Sequence, residues 1–69
     1  MKISAKNQLK GKIKSITSGA VNSEIVIELV GGTTITSIIT KGSEQELGLK
    51  VGGTAYAIIK ASNVIVGVD

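Results

Sequence analysis

Two short segments carry the residue types best suited to holding a small anion. Ser4-Ala5-Lys6-Asn7 lies near the start of the chain, and Lys60-Ala61-Ser62-Asn63 lies near its end. Each supplies an ammonium, a hydroxyl and backbone N–H groups in a stretch with no strand pattern. A fully ionised tetrahedral oxyanion can only accept hydrogen bonds. It is therefore met by charge-assisted bonds from an ammonium and short bonds from hydroxyl and amide donors. On composition alone the same residues also suit two ordinary polar connectors.

Other chemistries are poorly supplied. The 69 residues include no Cys and no His. That removes a thiolate nucleophile, an imidazole base, a zinc finger and a haem ligand. Glu24 and Glu28 fall on one face of a strand. Four residues at ~3.4 Å each put their Cα atoms ~14 Å apart, too far for a carboxylate pair acting across one bond. Catalysis is not expected, and no metal is expected beyond the oxyanion's own. Lys10, Lys12 and Lys14 form a stripe that could touch phosphates. Single-strand binders also stack bases on aromatic side chains, and Tyr56 is the only aromatic here. A solvated strand face that discourages edge pairing is the better reading of that stripe. The net charge of +3 is a modest excess, so no nucleic-acid partner is expected.

The elements that must position the two donor segments are strands. Ile, Val and Leu supply 22 of the 69 residues and glycine supplies 9, so β-branched runs alternate with turn punctuation. Leu9 to Thr17 alternates with period two, placing the lysines on one face and Leu9, Gly11 and Ile13 on the other. Ile16 breaks the alternation, which implies a bulge or the strand end. Ser18 to Val21 reads as a turn. Asn22 to Val30 is a second strand, with Ser23, Ile25, Ile27 and Leu29 on one face. Gly31-Gly32 marks a hairpin. Thr33 to Thr40 is a third strand, with Ile35, Ser37 and Ile39 inward. Ser43-Glu44-Gln45-Glu46 fits a capping box, and Gly48 a helix stop, so one short helix is expected over Ser43 to Leu47. Thr54 to Lys60 and Asn63 to Val68 are strands four and five. Five strands with a helix between the third and fourth match the order of an OB-fold, a five-stranded Greek-key barrel, in an all-β single domain spanning residues 1–69.

Size adds a constraint. A chain of ~60 residues buries only ~60% of its unfolded surface, and small scaffolds usually need disulfides, a metal or oligomerisation. With Cys and His absent, oligomerisation remains. Val26, Ile38 and Ile58 place apolar side chains on faces opposite the inward ones. One barrel interior uses one face of each strand, so the second apolar set needs cover from another subunit. The opening MKISAKNQLK has no apolar h-region, and no run reaches the ~20 apolar residues of a membrane span. A cytoplasmic protein without membrane association is expected.

As ordered strings these segments are more specific. MKISAKNQLKGKI, GAVNSEIVIEL-GG-TTITSIIT, SEQELGLKVGG and AIIKASNVIV resemble molbindin, the small Mop protein family. The same unit forms the TOBE-type module of molybdate transport ATPases and molybdate-responsive regulators. The resemblance covers the whole chain. It implies an OB-fold subunit that exchanges a terminal strand with a dimer partner and assembles as a hexamer, a trimer of dimers. It implies molybdate or tungstate bound at subunit interfaces, for storage or homeostasis, with no cofactor required.

Carried over residue by residue, the family's S-A-R-N motif falls on Ser4, Ala5, Lys6 and Asn7. Its K-[AS]-[ST] motif falls on Lys60, Ala61 and Ser62. Ser4 would donate its hydroxyl, Ala5 and Lys6 their amides, and Lys6 and Lys60 their charge. Ala61 would offer its amide and Ser62 its hydroxyl. The resemblance implies that the two motifs meet across a dimer interface, each from a different chain. Lys6 departs from the family's usual Arg and replaces a planar fork of five donors with a point charge of three. Ala61 stands where some relatives carry Ser, one hydroxyl fewer. The family's second kind of oxyanion site maps onto the turn of Gly19, Ala20, Val21 and Asn22, which reads equally well as a plain β-turn. Two other readings remain: an OB module that binds nucleic acid, and an interaction or sensing module without anion binding.

Overall fold

Glycine turns and alternating β-branched residues build a single antiparallel sheet. The computed structural model describes residues 1–69. In chain order it contains β1 (Asn7–Ser18), β2 (Asn22–Glu28), β3 (Thr34–Thr40), α1 (Lys41–Glu46), β4 (Thr54–Ile59) and a 3₁₀ turn (Ala61–Asn63). The strands lie in the order β3-β2-β1-β4. No helix is long and apolar enough to cross a membrane.

The 12-residue β1 serves two partners. Its first half, from Asn7 to Lys12, pairs with β4. Its second half, from Lys12 to Ser18, pairs with β2. Between them the register slips by one: Ile13 faces Ile27 while Ser15 faces Val26. Lys14 is the extra residue of a β-bulge. The bulge reverses the alternation, so Ile13 and Ile16 both face inward, and it bends the strand around the core.

The face assignments hold along β2 and β3. Ser23, Ile25 and Ile27 are buried on β2, with Glu24 and Glu28 exposed. Ile35, Ser37 and Ile39 are the half-buried positions of β3. β2 stops at Glu28 rather than Val30. Leu29 instead closes the hairpin, accepting from Gly32 N at 3.1 Å and donating to Thr33 O at 2.7 Å. Gly31 and Gly32 carry φ of +93° and +92°, a region open to glycine at little steric expense.

The helix starts three residues earlier than the capping box implies. Thr40 is the N-cap, still extended, and its Oγ1 accepts from Ser43 N at 3.0 Å. Ser43 is therefore the third residue of α1 and not its cap. The reason is that β3 runs straight into the helix, so its last threonine is already placed to cap. At the other end Gly48 has φ +63°. Gly48 N donates to Gln45 O at 3.1 Å and Leu49 N to Glu44 O at 3.3 Å, the Schellman pattern. The carboxylate of Glu44 turns back to the sheet. Its Oε1 accepts from Ser23 Oγ at 2.5 Å and from Ser18 Oγ at 3.0 Å.

The expected fifth strand does not form within the chain. After the 3₁₀ turn, Val64 to Asp69 have no regular structure. Ile65, Val66 and Val68 are 95%, 85% and 94% exposed. A strand exists only when another edge satisfies its backbone groups, and no edge of this chain pairs with the tail. The sheet is accordingly open, with β3 and β4 as its two edges, and not a closed five-stranded barrel. Its core is correspondingly small: Ile13, Ile25, Ile27 and Ala57 are the fully buried apolar residues. Of the second apolar set, Ile38 is 60% exposed on the outer face of β3 and Ile58 38% exposed, while Val26 is half-buried.

Candidate functional site

Pairing of β1 with β4 decides where the two donor segments lie. Asn7, at the start of β1, is the register partner of Ile59, at the end of β4. The antiparallel arrangement therefore brings the residues before Asn7 beside the residues after Ile59. Ser4, Ala5, Lys6, Lys60, Ala61 and Ser62 all line one open cavity of ≈ 640 Å³. Ile3 and Ile58 form apolar walls, and Asn63 completes the lining. The two motifs thus line one cavity of the single chain.

The electrostatics suit an anion. Lys6 and Lys60 line the cavity and no acidic residue does. The backbone amides of Ser4, Ala5, Lys6, Lys60, Ala61 and Ser62 donate to no other backbone group. Their neighbouring carbonyls are engaged. Gln8 Nε2 donates to Ala5 O at 2.8 Å, and Asn7 Nδ2 donates to Ile59 O at 3.1 Å. Asn63 N donates to Lys60 O at 2.8 Å, and Val64 N to Ala61 O at 3.2 Å. The arrangement can present cations, hydroxyls and amides to an acceptor. The chain gathers no group of three or more His, Cys, Asp or Glu side chains that could hold a metal ion.

The motifs carried over by resemblance named six of the cavity-lining residues and gave the supporting ones no role. Asn63 belongs to the donor segment but carried no role. Gln8 carried no signal, because a glutamine at a strand start has many uses. Its bond to Ala5 O is visible only in the fold.

The other candidates fare differently. In the turn of Gly19, Ala20, Val21 and Asn22, Gly19 N already donates to Asn22 O at 2.7 Å, and Val21 O accepts from Lys41 N at 2.8 Å. Glu44, bonded to Ser18 and Ser23 on either side, sets a carboxylate beside this turn. Negative charge there opposes a dianion. Lys10 and Lys12 share their surface pocket with Glu28, which weakens any unbroken positive track for phosphates.

Comparison with known proteins accords with this geometry. The TOBE domain family matches residues 3–66. A probable molybdenum-pterin-binding protein of Haemophilus influenzae is 52% identical over 69 residues, covering all of both chains. Among solved structures, apo MopII from Clostridium pasteurianum superposes with a TM-score of 0.92 at 45% identity, covering 97% of this chain and 100% of that one. The cytoplasmic molybdate-binding protein ModG, with molybdate bound, gives a TM-score of 0.95 at 55% identity, covering 100% of this chain and 49% of that one. With its fold shared at this level of identity and over its full length, this chain belongs to the TOBE domain family and, within it, to the small molybdenum-pterin-binding or Mop proteins.

Proposed function

We propose that this protein binds molybdate, or the isosteric tungstate, in the cavity between the start of β1 and the end of β4, and stores or buffers it in the cytoplasm. One observation carries the reading: Ser4, Ala5, Lys6, Lys60, Ala61 and Ser62 converge on one cavity that lacks any acid. Lys6 and Lys60 supply two positive charges to a dianion. Ser4 and Ser62 supply hydroxyl donors, and the uncommitted amides supply the rest. No bond is made or broken in the ligand, so the role is binding without catalysis. The relatives named for molybdenum or molybdate support this choice among oxyanions. The Gly19–Asn22 turn is left out of the proposed site because of the Glu44 carboxylate beside it.

The working unit in this reading is a homo-oligomer, a hexamer built as a trimer of dimers. The apolar tail from Val64 to Val68 finds no partner in its own chain. A groove of ≈ 380 Å³ between the β3 and β4 edges, with Ile35, Ala57 and Ile59 among its walls, is open. Exchange of the tail into a partner's groove would cover both. The anion cavity would then lie near a subunit boundary.

Calorimetric titration with molybdate, with sulfate as competitor, tests the proposal on protein of known solution mass. Lys60→Ala removes a charge-assisted bond of ~1.5–3 kcal/mol, so affinity should fall roughly 10- to 100-fold while assembly persists. Binding unchanged by Lys60→Ala would refute the site.

A further inference from the structure

We infer that Asn7 and Gln8 are positioning residues for the oxyanion cavity, two neighbouring carboxamides that clamp one carbonyl on each donor segment and so fix the direction of the amides beside it. The inference rests on the oxyanion reading of that cavity and adds to it the residues that hold its donors in place.

A peptide group has two ends. Where it is planar and trans, its C=O and N–H point in opposite directions, and the chain contains no cis peptide. Ala5 O shares a peptide with Lys6 N–H, and Ile59 O shares one with Lys60 N–H. Gln8 holds the first carbonyl at 2.8 Å, and Asn7 holds the second at 3.1 Å. Each clamp turns the attached N–H the other way and keeps an electron-rich oxygen from drifting toward a bound anion. Gln8 also approaches Ile3 O at 3.5 Å, a longer and weaker contact on the peptide that carries Ser4 N–H.

Two further amides are fixed by the same logic from the main chain. Asn63 N holds Lys60 O, which orients Ala61 N–H, and Val64 N holds Ala61 O, which orients Ser62 N–H. Successive residues of a strand point to opposite faces, so two neighbouring side chains can serve different segments. Asn7 reaches across to the segment 52 residues away, and Gln8 folds back onto its own. The adjacent pair divides the task. Ordering these donors in advance lowers the conformational cost of capturing the ligand.

The test compares wild type, Gln8→Ala, Asn7→Ala and Lys60→Ala. Each is titrated with molybdate, melted without ligand, and observed by amide NMR. The bond from Gln8 lies at the surface, so its loss should leave the ligand-free melting temperature unchanged. Affinity should still fall about 3- to 10-fold, the usual net worth of one hydrogen bond. The amide signal of Lys6 should broaden or shift in Gln8→Ala while those of Ile25 and Ala57 stay. Asn7→Ala should do the same at Lys60. Wild-type affinity in both alanine variants overturns the inference. So does a loss of affinity matched by a fall in melting temperature, because that reports general loosening. Absence of binding in wild type, or full binding by Lys60→Ala, instead overturns the oxyanion reading and the clamps with it.

Discussion

Gly11→Ala tests the tightest passage in the fold. An added Cβ at Gly11 would lie 2.5 Å from Glu28 O, 2.8 Å from Ile27 Cγ2 and 3.1 Å from the Glu28 carbonyl carbon. Ordinary contact begins at 3.4 Å, so Cβ and the Glu28 oxygen must part by 0.9 Å. Two of the three obstructing atoms are backbone, and rotating a side chain cannot relieve them. The strain falls where Lys12 pairs with Glu28 and Ile13 with Ile27, and the last two are among the few buried apolar residues. Overpacking of this kind costs ~1–3 kcal/mol. Reduced freedom of the unfolded chain returns about 0.4–1 kcal/mol. The net expectation is a loss of roughly 1.3 kcal/mol, or about 5–10 °C in melting temperature for a domain of this size. Chemical and thermal unfolding should be measured at one fixed protein concentration, since assembly contributes to apparent stability. Gly42→Ala is the control. It lies in α1, where an added Cβ would meet nothing within 4 Å, and should gain ~0.5–1 kcal/mol. A Gly11→Ala protein within ~0.5 kcal/mol of wild type would refute the close-approach argument.

Three further outcomes follow from named contacts. Ser23→Ala removes a buried hydroxyl bonded to the Glu44 carboxylate, and should destabilise by ~1.5–3 kcal/mol in urea unfolding, as for hydrogen bonds to charged groups; a change below a few tenths would mean that Ser18 suffices to hold Glu44. Lys6→Arg replaces a point charge of three donors with a planar fork of five, so titration should give tighter molybdate binding, and equal or weaker binding would show that the site is fitted to lysine. Removal of residues 64–69 takes away the exposed Ile65, Val66 and Val68. On the proposed tail exchange, light scattering should then report a smaller solution mass than for wild type, and an unchanged mass would rule out exchange of this tail.

The small core gives these tests their leverage. Four fully buried apolar residues are few for 69. Folded domains typically hold ~0.05–0.15 kcal/mol per residue, so a change of about 2 kcal/mol is a large share of the total. Covering Ile38 and the apolar tail with another subunit would add apolar burial at ~25 cal/mol per Å². Binding and assembly are therefore expected to be coupled to stability in this protein.

What the sequence determined by itself was local. The alternation of Ser23, Ile25 and Ile27 against Glu24 and Glu28 identified the inner face of β2, because a pleated strand has a fixed period of two. Gly31, Gly32 and Gly48 marked turns and a helix end that the fold realises at positive φ. The chemistry of Ser4–Lys6 and Lys60–Ser62 was also legible, since donor types need no structure to be named. What only the tertiary structure decided was long-range. Pairing of Asn7 with Ile59 joins segments 52 positions apart, and no local periodicity encodes that partner. The bulge at Lys14 turned the irregular Ile16 inward. Thr40 capped α1 in place of Ser43 because β3 delivers it there. Gln8 gained a role only once its carboxamide lay beside Ala5 O. The stretch from Asn63 to Val68 has the composition of a strand, yet in one chain it stays unpaired. Residue types set the tendency to extend, but a strand forms only where a second edge meets its amides and carbonyls.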